Sequence, residues 1–336
     1  MAVEGLTPGY FALVMASGII SAGLELEGFR VLSVALLVVA ATTYAVLLGL
    51  SAWRFLRYRA AVREDFADPG RAFGFFTFVA GTNVLGVRLS MEGWDAATVV
   101  LLVVSGVTWL LLGYVVPWTA VLGRTERPVV VKANGTWFIW VVASQSVAVA
   151  AATLQPRLDG HEQWLALLAV VSWSIGVFLY AAAGVLVTLR MMLYELRPED
   201  LNPPYWVAMG AMAITVLAGA RIVEMAHAPM VSATGQLVAG LAVVFWAFAT
   251  WLIPVLVAAG WWRHVTHRVP LRYEATLWSI IFPLGMYAVA GIYLGRADAL
   301  PIVGAIGAGE LWVAFACWTL VFVAMLRHLV RTVLRD

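Results

Sequence analysis

The sequence predicts an all-α polytopic membrane protein: ten transmembrane helices in five helical hairpins around a central pore, odd helices inside and even helices outside. Three observations carry that expectation. Hydrophobic residues make up 63% of the 336 positions and charged residues only 12%, about half the charge of a soluble globule. Apolar runs of about 20 residues, the length that crosses a ~30 Å hydrocarbon core, recur from end to end. Those runs also alternate in texture, polar-aromatic then aliphatic. A closed β-barrel is excluded, because its alternating segments of ~10 residues are absent.

Hydrophobic runs bounded by charge and by Pro/Gly clusters place the spans in order. The first, 7–25, contains "PGYFALVMASGIIS"; the residues before it lack the basic opening and small-residue cleavage site of a signal peptide, so it reads as a mature span. The second, 30–52, is the aliphatic "VLSVALLVVAATTYAVLLGL". A charged link from Trp53 to Arg71, holding Arg54, Arg57, Arg59 and Arg63, leads to the third, 73–90, "GFFTFVAGTNVLG". The fourth, 95–117, is aliphatic again, and the fifth, 134–154, carries "GTWFIWVVASQSVA". The sixth spans 163–189, the seventh ("PPYWVAMGAMAIT") 204–226, the eighth 235–262, the ninth 275–296 and the tenth 302–326. No remaining stretch is long or polar enough for a soluble domain, so residues 1–336 read as one transmembrane unit.

Orientation follows from Lys and Arg in the short connections. Sixteen of the 21 basic residues lie in the even-to-odd connections and the C-terminal tail, leaving Arg30, Arg88, Arg157, Arg221 and Arg296 for the others. Both termini are therefore expected in the cytoplasm, with the chain in the plasma membrane. Ser, Thr, Asn and Gln in hydrocarbon seek protein or water, and small residues let helices approach. That texture puts the odd spans inside.

An internal repeat supports five units. The odd spans open with Tyr10–Phe11, Phe75–Phe76, Trp137–Phe138, Tyr205–Trp206 and Leu277–Trp278, successive pairs lying 65, 62, 68 and 72 residues apart. Five places past the first residue of each pair stand Met15, Ala80, Val142, Gly210 and Phe282, of which only the last is a large aromatic. Two or three places further come Ser17–Gly18, Thr82–Asn83, Ser144–Gln145, Met212–Ala213 and Leu284–Gly285. One level of the axis would thus be blocked by a single phenyl ring. Met15, Ser17, Gly18, Ala80, Thr82, Asn83, Val142, Ser144, Gln145, Gly210 and Gly285 are the candidate pore-lining residues.

The stretches "TPGYFALVMASGII", "FFTFVAGTNVLG", "NPPYWVAMGAMAIT" and "LWSIIFPLGMYAVAG" resemble, in order, signature stretches of the tellurite-resistance/C4-dicarboxylate transporter family. That family includes bacterial tellurite-resistance proteins, yeast malate permeases, fungal sulfite pumps and plant slow anion channels. The resemblance implies pore-lining odd helices, a homotrimer with one pore per subunit, and a pore-occluding phenylalanine in the ninth helix, which Phe282 matches. It implies a small anion as substrate: malate, succinate, tellurite, sulfite or another inorganic ion. A passive channel, a proton-coupled dicarboxylate carrier and a sulfite or tellurite efflux protein all stay open.

Within that stretch Phe282 precedes Pro283, which removes a backbone hydrogen bond and lets the helix bend. An apolar ring beside the break can close a path by dewetting. Arg88 and Arg221 are candidate vestibule charges, with Glu224 spaced i,i+3 to pair with Arg221. A simple ring of outer arginines is rejected, because nine acids share those connections and the start of the last span with five arginines. Glu310 reads as paired or near the surface. "HVTH", His264 to His267, reads as a solvated loop pair, and His161, His227 and His328 also sit near span ends. No HExxH, GxSxG or CxxC pattern occurs, so no metal, haem, other cofactor, enzymatic role or nucleic-acid partner is expected; the lipid bilayer is. Cys317 stands alone, so no intramolecular disulfide forms.

Overall fold

The computed structural model describes residues 3–123, 127–225 and 228–333. Among them there is no strand, and ten helices are long and apolar enough to cross a membrane. The inner spans are α1 (Ala12–Leu26), α4 (Phe76–Met91), α6 (Phe138–Leu154), α8 (Val207–Val223) and α10 (Trp278–Ala297). The outer ones are α2 (Arg30–Arg57), α5 (Asp95–Val116), α7 (Glu162–Leu193), α9 (Pro229–Trp261) and α11 (Pro301–Val333). Each inner span packs along the outer one that follows it, and the inner five pack side by side in chain order, with α10 returning to α1.

Burial follows the two layers. In the most apolar stretch of each inner span 78–94% of residues are buried, against 17–33% in the outer spans. Leu110, Leu111, Phe178, Trp251 and Leu320 are exposed on the outer layer, as a surface solvated by lipid tails allows.

Several span limits differ from expectation; α7 runs on to Leu193 rather than 189 and α11 to Val333 rather than 326. α9 begins at Pro229 rather than 235, since proline suits the first helical turn and lacks only an N–H that would be orphaned there. α2 continues to Arg57, and the link after it contains a further helix, α3 (Arg59–Ala67). A buried ion pair explains both: Arg54 in the last turn of α2 meets Asp65 of α3 at 2.7 Å. Arg71 completes the set at 3.1 Å from the same carboxylate.

Every inner span is entered through a 3-10 turn: Pro8–Phe11, Ala72–Phe75, Gly135–Trp137, Pro203–Trp206 and Ala275–Leu277. These hold residues of the aromatic pairs and touch one another in a closed circle at the face that carries the chain termini, hereafter the terminal face. The circle is tight. A Cβ on Gly135 would overlap the carbonyl of Pro204, so that position accepts only glycine.

Hydrogen bonds stitch each inner helix to the outer helix of the preceding hairpin. Tyr44 of α2 donates to Thr82 of α4 (3.0 Å), whose own hydroxyl donates to the Phe78 carbonyl. Trp109 of α5 donates to Ser144 of α6 (2.9 Å), and Trp173 of α7 to the Thr215 carbonyl of α8 (3.1 Å). Tyr287 of α10 donates to Thr250 of α9 (2.8 Å), and Trp318 of α11 to Ser17 of α1 (2.9 Å), closing the circle. Such bonds within a membrane contribute about 0.6–2 kcal/mol each. Trp109→Phe and Trp318→Phe keep an aromatic ring of smaller size and delete the N–H. Each is expected to lower stability by about 1 kcal/mol, seen as an earlier loss of monodisperse protein on heating in detergent; unchanged melting would show that the stitches contribute nothing.

Candidate functional site

The inner helices enclose a small cavity of ≈ 20 Å³ on the axis, lined by residues from all five. Ile19 and Ala22 come from α1; Asn83, Val84 and Val87 from α4; Ser146 and Val149 from α6; Ile214 and Leu217 from α8; and Met286 from α10. Such a volume holds about one water molecule. No charged side chain is part of the lining.

The repeat register explains the composition. Ile19, Val84, Ser146, Ile214 and Met286 each stand nine places past the first residue of their aromatic pair. Met15, Ala80, Val142, Gly210 and Phe282 stand one helical turn earlier, four residues before each. Residues i and i+4 share a helix face, so these five occupy the axial face directly on the terminal side of the cavity. All are buried, Phe282 to 1% exposure. None of them lines the cavity, which therefore ends at their level.

Phe282 is the one aromatic there, and its placement depends on two neighbours. Pro283 is buried and seated against Gly210, where a Cβ would come within 2.8 Å of the proline ring. Gly285 receives Ile19 and Ile20 of α1. Small residues on α8 and α10 thus bring α10 close to its neighbours on both sides.

Several residues expected at the pore lie elsewhere. Ser17, Thr82 and Ser144 face outward and bind Trp318, Tyr44 and Trp109. Gln145 donates to the Trp173 carbonyl of α7 at 3.1 Å. Gly18 is occupied by contact with Val84. The reason is rotational: two residues advance a helix by about 200°, to the far side, whereas four nearly restore the starting face. Asn83 is the polar candidate that does reach the cavity. Its amide donates to Ser146 (2.9 Å) and its carbonyl accepts from Ser105 (2.5 Å). Reading at nine places past each pair, rather than seven or eight, would have found Ser146, Ile214 and Met286.

The vestibule candidates are ion-paired. Arg88 is fully buried near the face opposite the termini, donating to Ser21 (2.9 Å), Ser33 (2.8 Å), Glu25 (3.1 Å) and Glu92 (2.8 Å). Arg30 bridges the same two carboxylates at 2.9 Å each. Arg221 pairs with Glu224 at 2.8 Å and sits 5.3 Å over the Tyr293 ring. Arg157 meets Asp95 at 3.1 Å and Arg296 meets Glu27 at 3.2 Å. Arg30, Arg88, Arg157 and Arg296 join neighbouring hairpins, whereas Arg221–Glu224 lies at the end of one helix; in each case the charge is neutralised in place.

His264 donates from Nδ1 to the Val269 carbonyl at 2.8 Å, and His267 packs edge-on to Trp262. His227 and Ala226, the end of the seventh expected span, lie outside the described residues. Among the described residues no three His, Cys, Asp or Glu side chains cluster as a metal site.

A ring of five inner helices sheathed by five outer ones, with an uncharged axis, defines a multi-pass membrane protein of the transporter and channel class. Residues 5–326 match the family described as voltage-dependent anion channel, and the chain belongs to that family. The resemblance drawn from the four signature stretches holds, and the family is one of transporters and channels, not enzymes. The chain is 67% identical over 160 residues to an uncharacterized membrane protein of Mycobacterium tuberculosis, covering 48% of this chain and 81% of that one. It is 22% identical over 334 residues to an uncharacterized transporter of Methanocaldococcus jannaschii, covering 96% and 92%. A second uncharacterized transporter of that archaeon is 26% identical over 189 residues, covering 55% and 53%.

The Arg88 cluster yields a prediction with a pH signature. Glu92 titrates below its ordinary range, first because Arg88 hydrogen-bonds it and further through Arg30, against some desolvation. A depressed carboxylate contributes stability that is complete above its unfolded pKa and lost as pH falls through the folded value. Arg88→Met leaves two carboxylates with Arg30 alone and is expected to cost on the order of 3 kcal/mol near neutral pH. Below about pH 4 the gap to the parent protein narrows, as Glu92 becomes protonated in both. Melting curves in detergent from pH 7 to pH 3 check this; a gap that stays constant with pH would contradict it.

Proposed function

We propose that this protein passes small anions along the axis of its inner helix ring, through a path that Phe282 holds shut. The substrate class is C4-dicarboxylates such as malate or succinate, with tellurite and inorganic anions as the alternative cargo. The observation that supports this most is the register: five repeat-equivalent side chains line a charge-free axial cavity, and one turn toward the terminal face only one of five is a phenyl ring.

The physical case has three parts. A cavity of ≈ 20 Å³ is far too small for a dicarboxylate, so this conformation is closed and flux needs Phe282 to move. An apolar ring at a constriction excludes water and with it a hydrated ion. Asn83 supplies a neutral donor just past the ring: one N–H of its amide goes to Ser146, whose own hydroxyl donates to the Ala143 carbonyl, and the other is offered to an anion in transit. Neutral donors without a fixed cation suit conduction, which requires release as well as entry.

The cavity lining contains no titratable side chain. A proton-coupled carrier needs such a group along its path, so the passive reading is preferred to the carrier and to active efflux. The arginine-rich terminal face is assigned to the cytoplasm and the chain to the plasma membrane. A homotrimer with three separate pores accompanies this reading.

In proteoliposomes, Phe282→Ala is expected to raise malate or chloride flux roughly tenfold or more, a barrier change of about 1.4 kcal/mol or greater. Parent-level flux in a folded variant would refute the gate. Asn83→Leu in the Phe282→Ala background is expected to reduce that flux several-fold, and flux that ignores an imposed pH gradient distinguishes a channel from a proton-coupled carrier.

A further inference from the structure

A far larger cavity than the axial one lies off the axis. It is a groove of ≈ 890 Å³ between the outer helices α7 and α9, on the half of the molecule toward the terminal face. Its walls include Tyr180, Gly184 and Val187 of α7 and Phe248, Leu252 and Leu256 of α9. The entry turn of α8, at Tyr205 and Trp206, forms part of its floor.

One end of this apolar groove holds a cation without a counter-charge. Arg263, in the turn that ends α9, is 8% exposed and lines the groove together with His264 and Asn202. Its Nη1 donates to the carbonyls of Pro198 (3.1 Å) and Glu199 (2.7 Å). Its Nε is buried with no hydrogen-bond partner, and no carboxylate among the described residues pairs with it. The contrast with the other buried arginines is plain: Arg54 has Asp65, and Arg88 has Glu25 and Glu92. A buried guanidinium lacking an anion carries an uncompensated desolvation cost, which a ligand of opposite charge removes.

We infer that the α7–α9 groove binds an anionic phospholipid, its phosphate on Arg263 and its acyl chain between the two outer helices. The chemistry selects this occupant in two ways. A soluble anion such as phosphate satisfies the guanidinium but leaves an apolar groove of ≈ 890 Å³ unfilled. A zwitterionic lipid such as phosphatidylcholine fills the groove and offers a phosphate, but its ammonium leaves the net charge at Arg263 uncompensated. Basic pockets between transmembrane helices near one membrane surface bind anionic headgroups by this combination, and Arg–phosphate contacts are strong and directional. The Asn202 carbonyl oxygen, also buried without a partner, accepts from a headgroup hydroxyl such as that of phosphatidylglycerol. The site touches the entry turn of inner helix α8, which places the lipid beside the helix that seats Pro283.

The test uses the full-length protein in mild detergent, titrated with phosphatidylglycerol or with phosphatidylcholine of the same chains. Retained lipid is counted by native mass spectrometry, which reads oligomeric state at the same time. The parent protein is expected to hold phosphatidylglycerol about tenfold more tightly than phosphatidylcholine, a difference of about 1.4 kcal/mol. Arg263→Met is expected to erase that preference while the weaker phosphatidylcholine binding stays. Gly184→Phe fills the groove from a position with open space around it and is expected to reduce retention of both lipids at unchanged oligomeric state. This second variant keeps the test informative if Arg263→Met folds poorly. Equal retention of the two lipids by the parent protein overturns the inference. So does thermal stabilisation by inorganic phosphate alone to the level given by phosphatidylglycerol. Dissociation of an oligomer by Gly184→Phe with lipid retention intact would give the groove to a second copy of the chain instead.

Discussion

Hydrocarbon offers no hydrogen-bond partner, and this chain places Ser, Thr, Asn and Gln inside its spans. Each must therefore be satisfied by a carbonyl of its own helix or by another helix. The solution repeats around the ring: an aromatic or hydroxyl side chain on an outer helix meets a hydroxyl or carbonyl on the inner helix of the next hairpin. Because every stitch joins consecutive hairpins, and Trp318 joins the last to the first, the five units close on themselves. Ion pairs repeat the same connection at the face opposite the termini, where Arg30 reaches Glu92, Arg157 reaches Asp95 and Arg296 reaches Glu27. The 3-10 turns do so at the terminal face.

That arrangement determines what is left for the axis. Polar atoms committed outward leave the inward faces to Ile, Val, Leu, Ala and Met, relieved only by Asn83 and Ser146. On the proposed reading an axis so lined has little affinity for water, and one phenyl ring suffices as a barrier. The same economy of charge extends outward: the candidate vestibule cations Arg88 and Arg221 are held by carboxylates rather than left to face a passing anion. Among the buried arginines Arg263 breaks the pattern, and it does so beside the apolar groove between α7 and α9 rather than beside the axis.

The sequence made the ten spans and the family readable, because hydrophobic length and the signature stretches survive without coordinates. The direction of each polar side chain did not follow from texture. "ASGIIS" and "AGTNVLG" look equally suited to lining a path or gripping an outer helix, and only the helical phase separates Ser17 from Ile19 or Thr82 from Val84. The aromatic anchors were also hidden. Tyr44, Trp109 and Trp318 lie in spans otherwise rich in Leu and Val and look like interfacial or lipid-facing rings. Their role depends on a partner in the neighbouring hairpin. Helix α3 is hidden for a related reason: a run of nine residues with four charges and no apolar period gains its helix from the Arg54–Asp65 pair, a contact 11 residues apart in sequence.

The packing of α10 constrains how a phenylalanine gate can open. Beyond Pro283 the helix is fixed tightly: Gly285 against Ile19 and Ile20, Gly291 against Gly307, Gly295 against Gly304, and Tyr287 bonded to Thr250. Sliding that segment would break several close glycine contacts at once. Before Pro283 lie only Trp278 to Phe282, held by a 3.2 Å bond from Trp278 to Tyr273 and by ring contact with Trp318. The proline has no N–H for the Ser279 carbonyl, so the two segments are uncoupled at that point. Motion is therefore cheapest as a swing of the Phe282 ring or a tilt of the short segment that carries it, with the rest of the bundle still. Gly210 sits on the hinge and leaves the proline ring room to seat. On the proposed reading Pro283, a helix breaker inside an apolar span, has a mechanical role: it confines the gate's motion to one turn of one helix.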